Sequence, residues 1–452
     1  MRRYILYRVF GRLSRVFSHF FRFLPAEVAK MIDKRAKNGY NKGKDTGKGA
    51  VMQVSGIVCE CNPPHAGHLY LMDRARAEGA DAVVLVMSGC FTQRGEAAVL
   101  SPRVRAQMLL SGGADAVFEL PFPFCAAHGE AFGAAGVSLP ARLGITDLWF
   151  GSECGDLDLL RTAADITASP AFLTAYREKT RAGHGTAFAY ADCLREVMGP
   201  EAPTSPNDLL ALAYLRALGQ YGSISPHTVR RTGAGYHDKS LPAGGPPSAT
   251  ALRGLLLREG PDALSPYLSP DSLALLRTEC ESGRAPADLS RLDPVLLACL
   301  RMTPPVTLSK IAGLGGGIGE RLAELARTCP DLDSVLRDAG VNCPLSRLRR
   351  GLLFALTGVT EADLLAEPAY AVLLAANRTG CRFLAERRHS VTIPIVTKRR
   401  EVPDTPAALR QLAFSEAAFG LWSLCLPRPA APSDFLRASA YIGCGGCVGE
   451  TS

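Results

Sequence analysis

A short apolar strand that ends in a tight turn and leads straight into a helix constrains this chain more than any other feature. The strand begins at Val54, and the turn and the helix start follow it as Asn62-Pro63-Pro64-His65-Ala66-Gly67-His68. A strand followed at once by a helix brings orphan backbone N–H groups and the positive end of the helix dipole to one point. The sequence therefore predicts a phosphate-binding turn inside an α/β domain.

Two histidines in this turn carry the candidate chemistry. His65 and His68 are three residues apart, so on the opening turn of a helix they share a face and both reach the oxygens of one phosphate. Gly67 lets the backbone come close to a ligand. The alternative is a capped helix start with two half-exposed histidines. A zinc site is less well supported, because no further His or Cys lies at ligand spacing, and we predict no metal site.

Apolar runs and helical patterns alternate after this turn. After the strand at Val54, strand-like runs occur at residues 82–87, 116–120, 147–150 and 225–231. Helical stretches separate the strands from Val54 to residue 150, and a longer helical region extends from about 155 to 220. This alternation predicts a doubly wound, Rossmann-like parallel sheet. Ligands of such sheets lie beyond the carboxyl ends of the strands, where Gln93-Arg94 and Gly151-Ser152-Glu153 collect.

Two features of this domain fit more than one interpretation. The segment Gln93-Arg94-Gly95-Glu96 fits an exposed turn as well as a loop that faces a substrate. Arg105, on the helix that follows, fits either a surface charge or a phosphate contact.

The chain divides into four predicted segments. Residues 52–255 form the α/β domain, residues 256–435 are Leu/Ala/Arg-rich and mainly helical, and residues 436–452 are a flexible tail. Residues 1–51 are a basic amphipathic extension and linker, which we interpret as dispensable or not part of the mature fold. The first 50 residues carry 13 Lys and Arg against 3 Asp and Glu, which leaves a formal net charge of −2 for the remainder. A nucleic-acid surface must therefore be a local patch.

The cysteines and the N-terminal apolar residues favour neither a disulfide-bonded secreted protein nor a membrane-spanning protein. Fourteen cysteines are scattered singly in largely apolar settings, which is typical of buried thiols in a reducing compartment. Cys444 and Cys447 form a lone C-x-x-C motif, which a disordered tail explains better than metal or redox chemistry does. The apolar residues of the first 24 positions are interrupted by arginines, so we expect no stable membrane insertion.

Taken together, the motifs resemble those of a known family. The Asn-Pro-x-His-x-Gly-His turn together with Ser-x-Thr-x-x-Arg at residues 248–253 resembles the nucleotidylyltransferase superfamily. The full set is similar, more narrowly, to the tRNA(Met) cytidine acetate ligase family. Its other elements are the segments 87–89, 93–96, 119–122, 150–153, 206–208 and 231–238. The sequence departs from the family pattern at Cys61, Pro64 and Ala66, which bears on the shape of the adenine or acetate pocket.

This resemblance implies a two-step reaction in the cytoplasm. ATP and acetate give acetyl-adenylate, and the wobble cytidine of elongator tRNA(Met) is then acetylated to N4-acetylcytidine. Mg²⁺ is expected to accompany ATP. His65 and His68 are the implied catalytic residues. The implied ATP-binding residues are Val58, Cys59, Glu60, Cys61, Asn62, Pro63, Pro64, His65, Ala66, Gly67, His68, Leu69, Tyr70, Leu71, Gly151, Asn207, Arg231, Ser248 and Thr250.

The candidate nucleic-acid contacts are predicted from local clusters of positive charge. Clustered arginines on a helix usually form a solvated face, but two basic patches are the best candidates for phosphate contacts. The first patch comprises Arg347, Arg349 and Arg350, and the second comprises Lys398 and Arg399, with Arg400 beside them.

Asn207 has two possible roles. It fits an ordinary helix cap as well as a nucleotide contact.

Two other functions share the same motifs. A small-molecule adenylyl- or cytidylyltransferase needs the same histidines and the same Ser248–Arg253 segment. A nucleotide- or RNA-binding protein that has kept the fold without turnover is the third interpretation. The sequence leaves the oligomeric state and the wobble-cytidine pocket open.

Overall fold

The computed structural model describes residues 52–182, 185–231, 247–340, 343–432 and 440–443. Its strands are Val54–Cys59 (β1), Ala82–Ser88 (β2), Ala116–Leu120 (β3), Asp147–Ser152 (β4), Ser225–Arg230 (β5), Ala371–Ala376 (β6), Ile395–Val396 (β7) and Tyr441–Ile442 (β8). The α-helices of the first half are Ala66–Ala77 (α1), Pro102–Ser111 (α2), Gly129–Arg142 (α3), Leu157–Ala168 (α4), Pro170–Arg181 (α5), Thr186–Met198 (α6) and Pro206–Leu218 (α7). Those of the second half are Ala249–Glu259 (α8), Pro270–Glu281 (α9), Asp293–Met302 (α10), Pro305–Leu308 (α11), Ile318–Thr328 (α12), Leu332–Ala339 (α13), Leu345–Thr357 (α14), Glu361–Leu364 (α15), Arg378–Arg387 (α16) and Pro406–Leu424 (α17).

The eight strands of the described residues belong to one sheet. Its order is β5-β4-β1-β2-β3-β6-β7, with β8 paired to β6. The first five strands are mutually parallel and β6 runs antiparallel to β3. The chain moves outward in one direction from β1 through β2 to β3 and then returns to the other side of β1 as β4. This reversal creates a switch point between β1 and β4, which is where ligands of doubly wound sheets bind.

The sheet is covered by helices because successive strand residues point to opposite faces. In β2, Val84 and Val86 pack into the core that α3 and α7 cover, whereas Val83 and Leu85 pack into the core under α1 and α2. Every residue of β2 is buried. Strands buried on both faces read as continuous apolar runs. The predicted Rossmann-like fold class is thereby confirmed.

Several helices begin with a hydroxyl residue followed by proline. The hydroxyl accepts a hydrogen bond from a backbone N–H of the first turn, and proline at the first helical position gives up no bond that the helix uses. Capping side chains of this kind are Ser101, Ser169, Ser269 and Thr405. Ser248 caps α8, as the sequence predicts, by accepting from the backbone N–H of Ala251 at 3.0 Å.

The second half of the chain is mainly helical but also completes the sheet. The predicted helical segment contains a strand that the sequence does not predict, β6, whose residues Ala371–Ala376 lie beside β3. This run of alanine, valine and leucine is as compatible with a buried helix as with a short strand, and periodicity does not separate the two. Tyr441 and Ile442, inside the predicted flexible tail, pair with the end of the same strand.

Some predictions concern parts of the chain that lie outside the described residues. The extension at residues 1–51 is one, and the pair Cys444 and Cys447 is another. Across the described ranges, no helix is both long enough and apolar enough to cross a bilayer. Twelve cysteines in those ranges are free thiols, seven of them buried.

Candidate nucleotide-binding site

The turn after β1 is built by the two histidines themselves. Cys61 adopts a positive φ of 49°, and the chain then reverses into α1 with His65 as the N-cap. Nδ1 of His65 accepts from the backbone N–H of Gly67 at 3.0 Å, and Nδ1 of His68 accepts from the backbone N–H of His65 at 3.3 Å. This is a capping box made of imidazoles in place of a hydroxyl and a carboxylate. A Cβ on Gly67 would lie 2.9 Å from the ring of His65, so the arrangement requires glycine.

These hydrogen bonds determine which ring nitrogen is available to a ligand. Since Nδ1 of each ring accepts a hydrogen bond, the proton of the neutral ring resides on Nε2, which is a donor. Burial, Arg231 and Arg253 lower the pKa of His65 to about 4. Burial, His65 and Arg231 likewise hold the pKa of His68 well below its usual value. The ring centroids are 4.1 Å apart, so the site offers two adjacent neutral N–H donors at a helix N-terminus.

The ends of β4 and β5 bring a cation to the same region. The backbone N–H of Arg231, just after β5, donates to the carbonyl of Ser152 at 2.9 Å. A Cβ on Gly151 would lie 3.1 Å from the Arg231 side chain, so glycine there leaves room for that side chain beside β4. Arg231 is exposed and lowers the pKa of both histidines, which places its charge close to the turn. The structure thus brings together residues that the sequence places about 165 positions apart.

The start of α7 is held by reciprocal carboxylate contacts. Glu153 accepts from the backbone N–H groups of Asn207 and Asp208 at 3.1 and 3.0 Å, and from the Asn207 amide at 2.5 Å. Asp208 in turn accepts from the backbone of Glu153 and Cys154. Asn207 is therefore part of a helix-start network, and its side chain points to β4. The sequence predicts Glu153 only as a polar residue at a strand end, and nothing in the sequence pairs it with Asn207.

Loss of the Glu153 carboxylate should destabilise the protein. Glu153→Ala leaves two N–H groups at the start of α7 without their acceptor, and we expect the free energy of unfolding to fall by about 1–2 kcal/mol. Urea denaturation measures it. As a control, Glu201→Ala removes an exposed carboxylate and should change stability by less than about 0.5 kcal/mol. Equal effects of the two substitutions would contradict the role of Glu153.

Helix α8 contacts the turn from the other side through Arg253. Its Nη1 donates to the carbonyl of Asn62 at 3.0 Å, and its Nη2 lies 3.2 Å from the hydroxyl of Thr250 and 2.5 Å from Glu96. Thr250 is thus connected to the turn by Arg253, whereas Ser248 caps α8. The loop at residues 93–96 is also tied down, because the backbone N–H of Gln93 donates to Glu60 at 2.9 Å. It is neither a free turn nor exposed along its length.

Arg105 corresponds to neither of the two roles that the sequence suggested. It is fully buried and donates to the carbonyls of Leu100, Glu60 and Ser88 at 3.1, 2.8 and 2.9 Å, and also to that of Gly89. Its guanidinium therefore joins the ends of β1 and β2 and the loops that follow them. Sequence reasoning missed it because an arginine inside a helical pattern is usually exposed.

The residues implied as ATP contacts divide by exposure. Val58, Cys59, Cys61, Asn62, Pro63 and Pro64 are buried and shape the turn from beneath. Those with exposed or half-buried side chains or backbone are Glu60, His65, Ala66, Gly67, His68, Leu69, Tyr70, Leu71, Gly151, Asn207, Arg231, Ser248 and Thr250. Within the part of the chain that the structure describes, no group of three His, Cys, Asp or Glu residues could hold a metal ion.

The candidate RNA-contacting arginines make contacts within the protein. In α14, Arg347 donates to the carbonyl of Gly313 at 3.0 Å, and Arg350 donates to that of Gln93 at 2.9 Å. Arg349 lies 3.7 Å from Glu96, and in the second patch Arg399 pairs with Glu416. Lys398 is half-buried beside Arg399. The first patch therefore packs against the loop that lies beside the histidine turn.

The fold and this site define a nucleotidyltransferase. A family model described as HIGH Nucleotidyl Transferase matches residues 52–432. A tRNA(Met) cytidine acetate ligase of Syntrophotalea carbinolica is 35% identical over 403 residues, which is 83% of this chain and 95% of that protein. One of Syntrophomonas wolfei is 31% identical over 84% of this chain and 96% of its own length. The chain belongs to the HIGH nucleotidyl transferases and, within them, to the tRNA(Met) cytidine acetate ligase family.

Solved structures agree with this assignment. The apo crystal structure of Thermotoga maritima TmcAL superimposes with a TM-score of 0.80 at 28% identity, and it covers 86% of this chain and all of that chain. A second structure of the same protein, bound with alpha-thio ATP, has a TM-score of 0.77 and covers 87% of this chain. The family predicted from the motifs is confirmed.

Proposed function

We propose that this protein activates acetate with ATP and transfers the acetyl group to the wobble cytidine of elongator tRNA(Met). The observation that carries the proposal is the pair of neutral imidazoles, His65 and His68, at the start of α1 in a chain of this family. Their Nε2–H groups, the helix N-terminus and the nearby charge of Arg231 suit the phosphates of a nucleotide.

The first step is an in-line displacement at phosphorus. A carboxylate oxygen of acetate attacks the α-phosphorus of ATP, the bond to the β-phosphate oxygen breaks, and acetyl-adenylate and pyrophosphate form. Negative charge develops on the phosphate oxygens, and preorganised donors stabilise it without being reorganised. We assign this role to His65 and His68. The other proposed nucleotide contacts are the half-buried and exposed members of the predicted set, together with the buried residues 58, 59 and 61–64 that shape the turn.

The second step transfers the acetyl group. The exocyclic amine of cytidine attacks the acyl carbon, the bond to the adenylate oxygen breaks, and AMP and a proton leave. An unstacked wobble base is required for this attack. We propose that the phosphates of the RNA are contacted by Arg347, Arg349, Arg350, Lys398 and Arg399. Mg²⁺ binds mainly to phosphate oxygens and water, so it would enter with ATP, and the reaction would take place in the cytoplasm.

Acetate-dependent ATP–pyrophosphate exchange, measured with and without elongator tRNA(Met), tests the proposal. We expect exchange that requires acetate, and N4-acetylcytidine in the RNA when tRNA is present. Exchange without any acetylcytidine would point to a small-molecule acceptor. The absence of exchange under both conditions would overturn the proposal in favour of a different nucleotidyl transfer or of nucleotide binding without turnover.

A further inference from the structure

One carboxylate connects helix α14 to the histidine turn. Oε2 of Glu96 lies 2.5 Å from Nη2 of Arg253 in α8, and Oε1 lies 3.7 Å from Nη1 of Arg349 in α14. The side chains are 26, 13 and 34% exposed, respectively. All three line a cleft of about 320 Å³ between the α/β and helical parts of the chain. Glu96 is thus shared by two guanidinium groups that come from distant parts of the sequence.

The partner of Glu96 in α8 acts directly on the turn. Arg253 donates to the carbonyl of Asn62, three residues before His65. The side chain of Asn62 also binds the segment that carries Glu96, since its amide contacts the carbonyl of Ala97 at 3.3 Å and its oxygen accepts from the N–H of Val99 at 2.8 Å. Without Glu96, Arg253 loses its ion-pair partner and the Asn62 carbonyl loses a fixed donor.

Helix α14 holds the same loop from the opposite side. Arg350 donates to the carbonyl of Gln93. A Cβ on Gly95 would lie 2.8 Å from both the backbone nitrogen of Arg350 and the Cβ of Arg349. The helix therefore packs directly against the loop backbone. Glu60, next to the turn, accepts from the N–H of Gln93, so the loop at residues 93–99 is held between α14 and the turn.

An exposed ion pair contributes little, because solvent screens it and two side chains must be ordered. Glu96 differs because its partner is largely buried and hydrogen-bonds the backbone of the turn. A displacement of about 1 Å at a reacting group costs on the order of 100-fold in rate. The shared carboxylate is therefore placed to affect catalysis without touching the substrate.

We propose that Glu96 is a positioning residue that sets the backbone of the histidine turn through Arg253 and anchors it to α14 through Arg349. The catalytic part of this inference rests on the proposed function, whereas the positioning part does not. Glu130 provides a matched control, because it pairs with Arg216 elsewhere in the α/β domain.

Hydrogen–deuterium exchange of the intact protein tests the positioning. In Glu96→Ala we expect peptides that cover residues 62–69 to exchange at least about fivefold faster, because fewer contacts hold the local backbone. Glu130→Ala should leave these peptides unchanged. Unaltered exchange in the Glu96 variant would overturn the proposal, whatever reaction the protein catalyses.

Kinetics test the consequence for the reaction. We expect the kcat of acetate-dependent exchange to fall about 10- to 100-fold in Glu96→Ala, with the KM for ATP within about threefold of the wild-type value. Glu96→Ala combined with Arg253→Ala should be little worse than Arg253→Ala alone, since both remove the same support. Additive losses would contradict the route through Arg253. Wild-type protein without exchange would refute the proposed function and leave hydrogen exchange to decide the positioning.

Discussion

His68→Ala is expected to reduce acetate-dependent ATP–pyrophosphate exchange by about 100- to 1000-fold, the loss typical of removing one preorganised donor to a developing charge. The Nε2–H group of His68 is the part that acts on phosphate in this interpretation. Its Nδ1 has a separate role, because it caps the backbone N–H of His65. The rate of exchange at saturating ATP and acetate measures the loss.

A second substitution separates chemistry from helix capping. In His68→Asn the amide oxygen takes the place of Nδ1 and keeps the cap, whereas the Nε2–H donor is lost. We expect this variant to unfold at nearly the wild-type urea concentration and to be as inactive as His68→Ala. The exposed His389 provides a control, since His389→Ala should retain full activity. A His68→Asn variant with normal turnover would disprove the catalytic role of His68.

Arg105→Met should produce the largest loss of stability, about 3–5 kcal/mol in the free energy of unfolding. Methionine fills much of the space but donates no hydrogen bond. The carbonyls of Leu100, Glu60, Ser88 and Gly89 then lose their donor in a buried setting. Urea denaturation followed by circular dichroism measures the difference.

The matched control is Arg74→Met, which removes a guanidinium from the exposed face of α1. Arg74 pairs with Glu78 one turn later, and both side chains are about half exposed. We expect a loss of less than about 0.5 kcal/mol there. A loss of about 1 kcal/mol or less in Arg105→Met would show that its buried contacts contribute little to stability.

The sequence predicts the α/β half well because its signals are local. The runs that became β1 to β4 are almost entirely buried, so they are mainly apolar, and β2 is a continuous apolar segment. The strand predicted at residues 225–231 is confirmed as β5, although its residues are half-buried or exposed. The start of α8 was set by the capping hydroxyl of Ser248.

Local sequence signals do not predict the strands in the second half of the chain. Ala371–Ala376 forms β6 because it pairs with the edge of β3. The sequence of Ala371–Ala376 contains no information about that edge, because β3 lies about 250 residues earlier in the chain. The same reason applies to Tyr441 and Ile442, which pair with β6. Composition and helical periodicity predict a mainly helical segment at residues 256–435 and a flexible tail at residues 436–452. Neither property contains the strand partners of these two segments.

By itself the sequence determined the five parallel strands, the histidine turn and the family. These features rest on local patterns, such as the spacing of His65, Gly67 and His68 after a buried strand. Only the tertiary structure decided which charges are used internally. Arg105 is buried under four carbonyls, Glu153 holds the start of α7, and Arg350 binds the loop at Gln93. The function of a charged side chain depends on the acceptors around it, and those come from parts of the chain that only folding brings together.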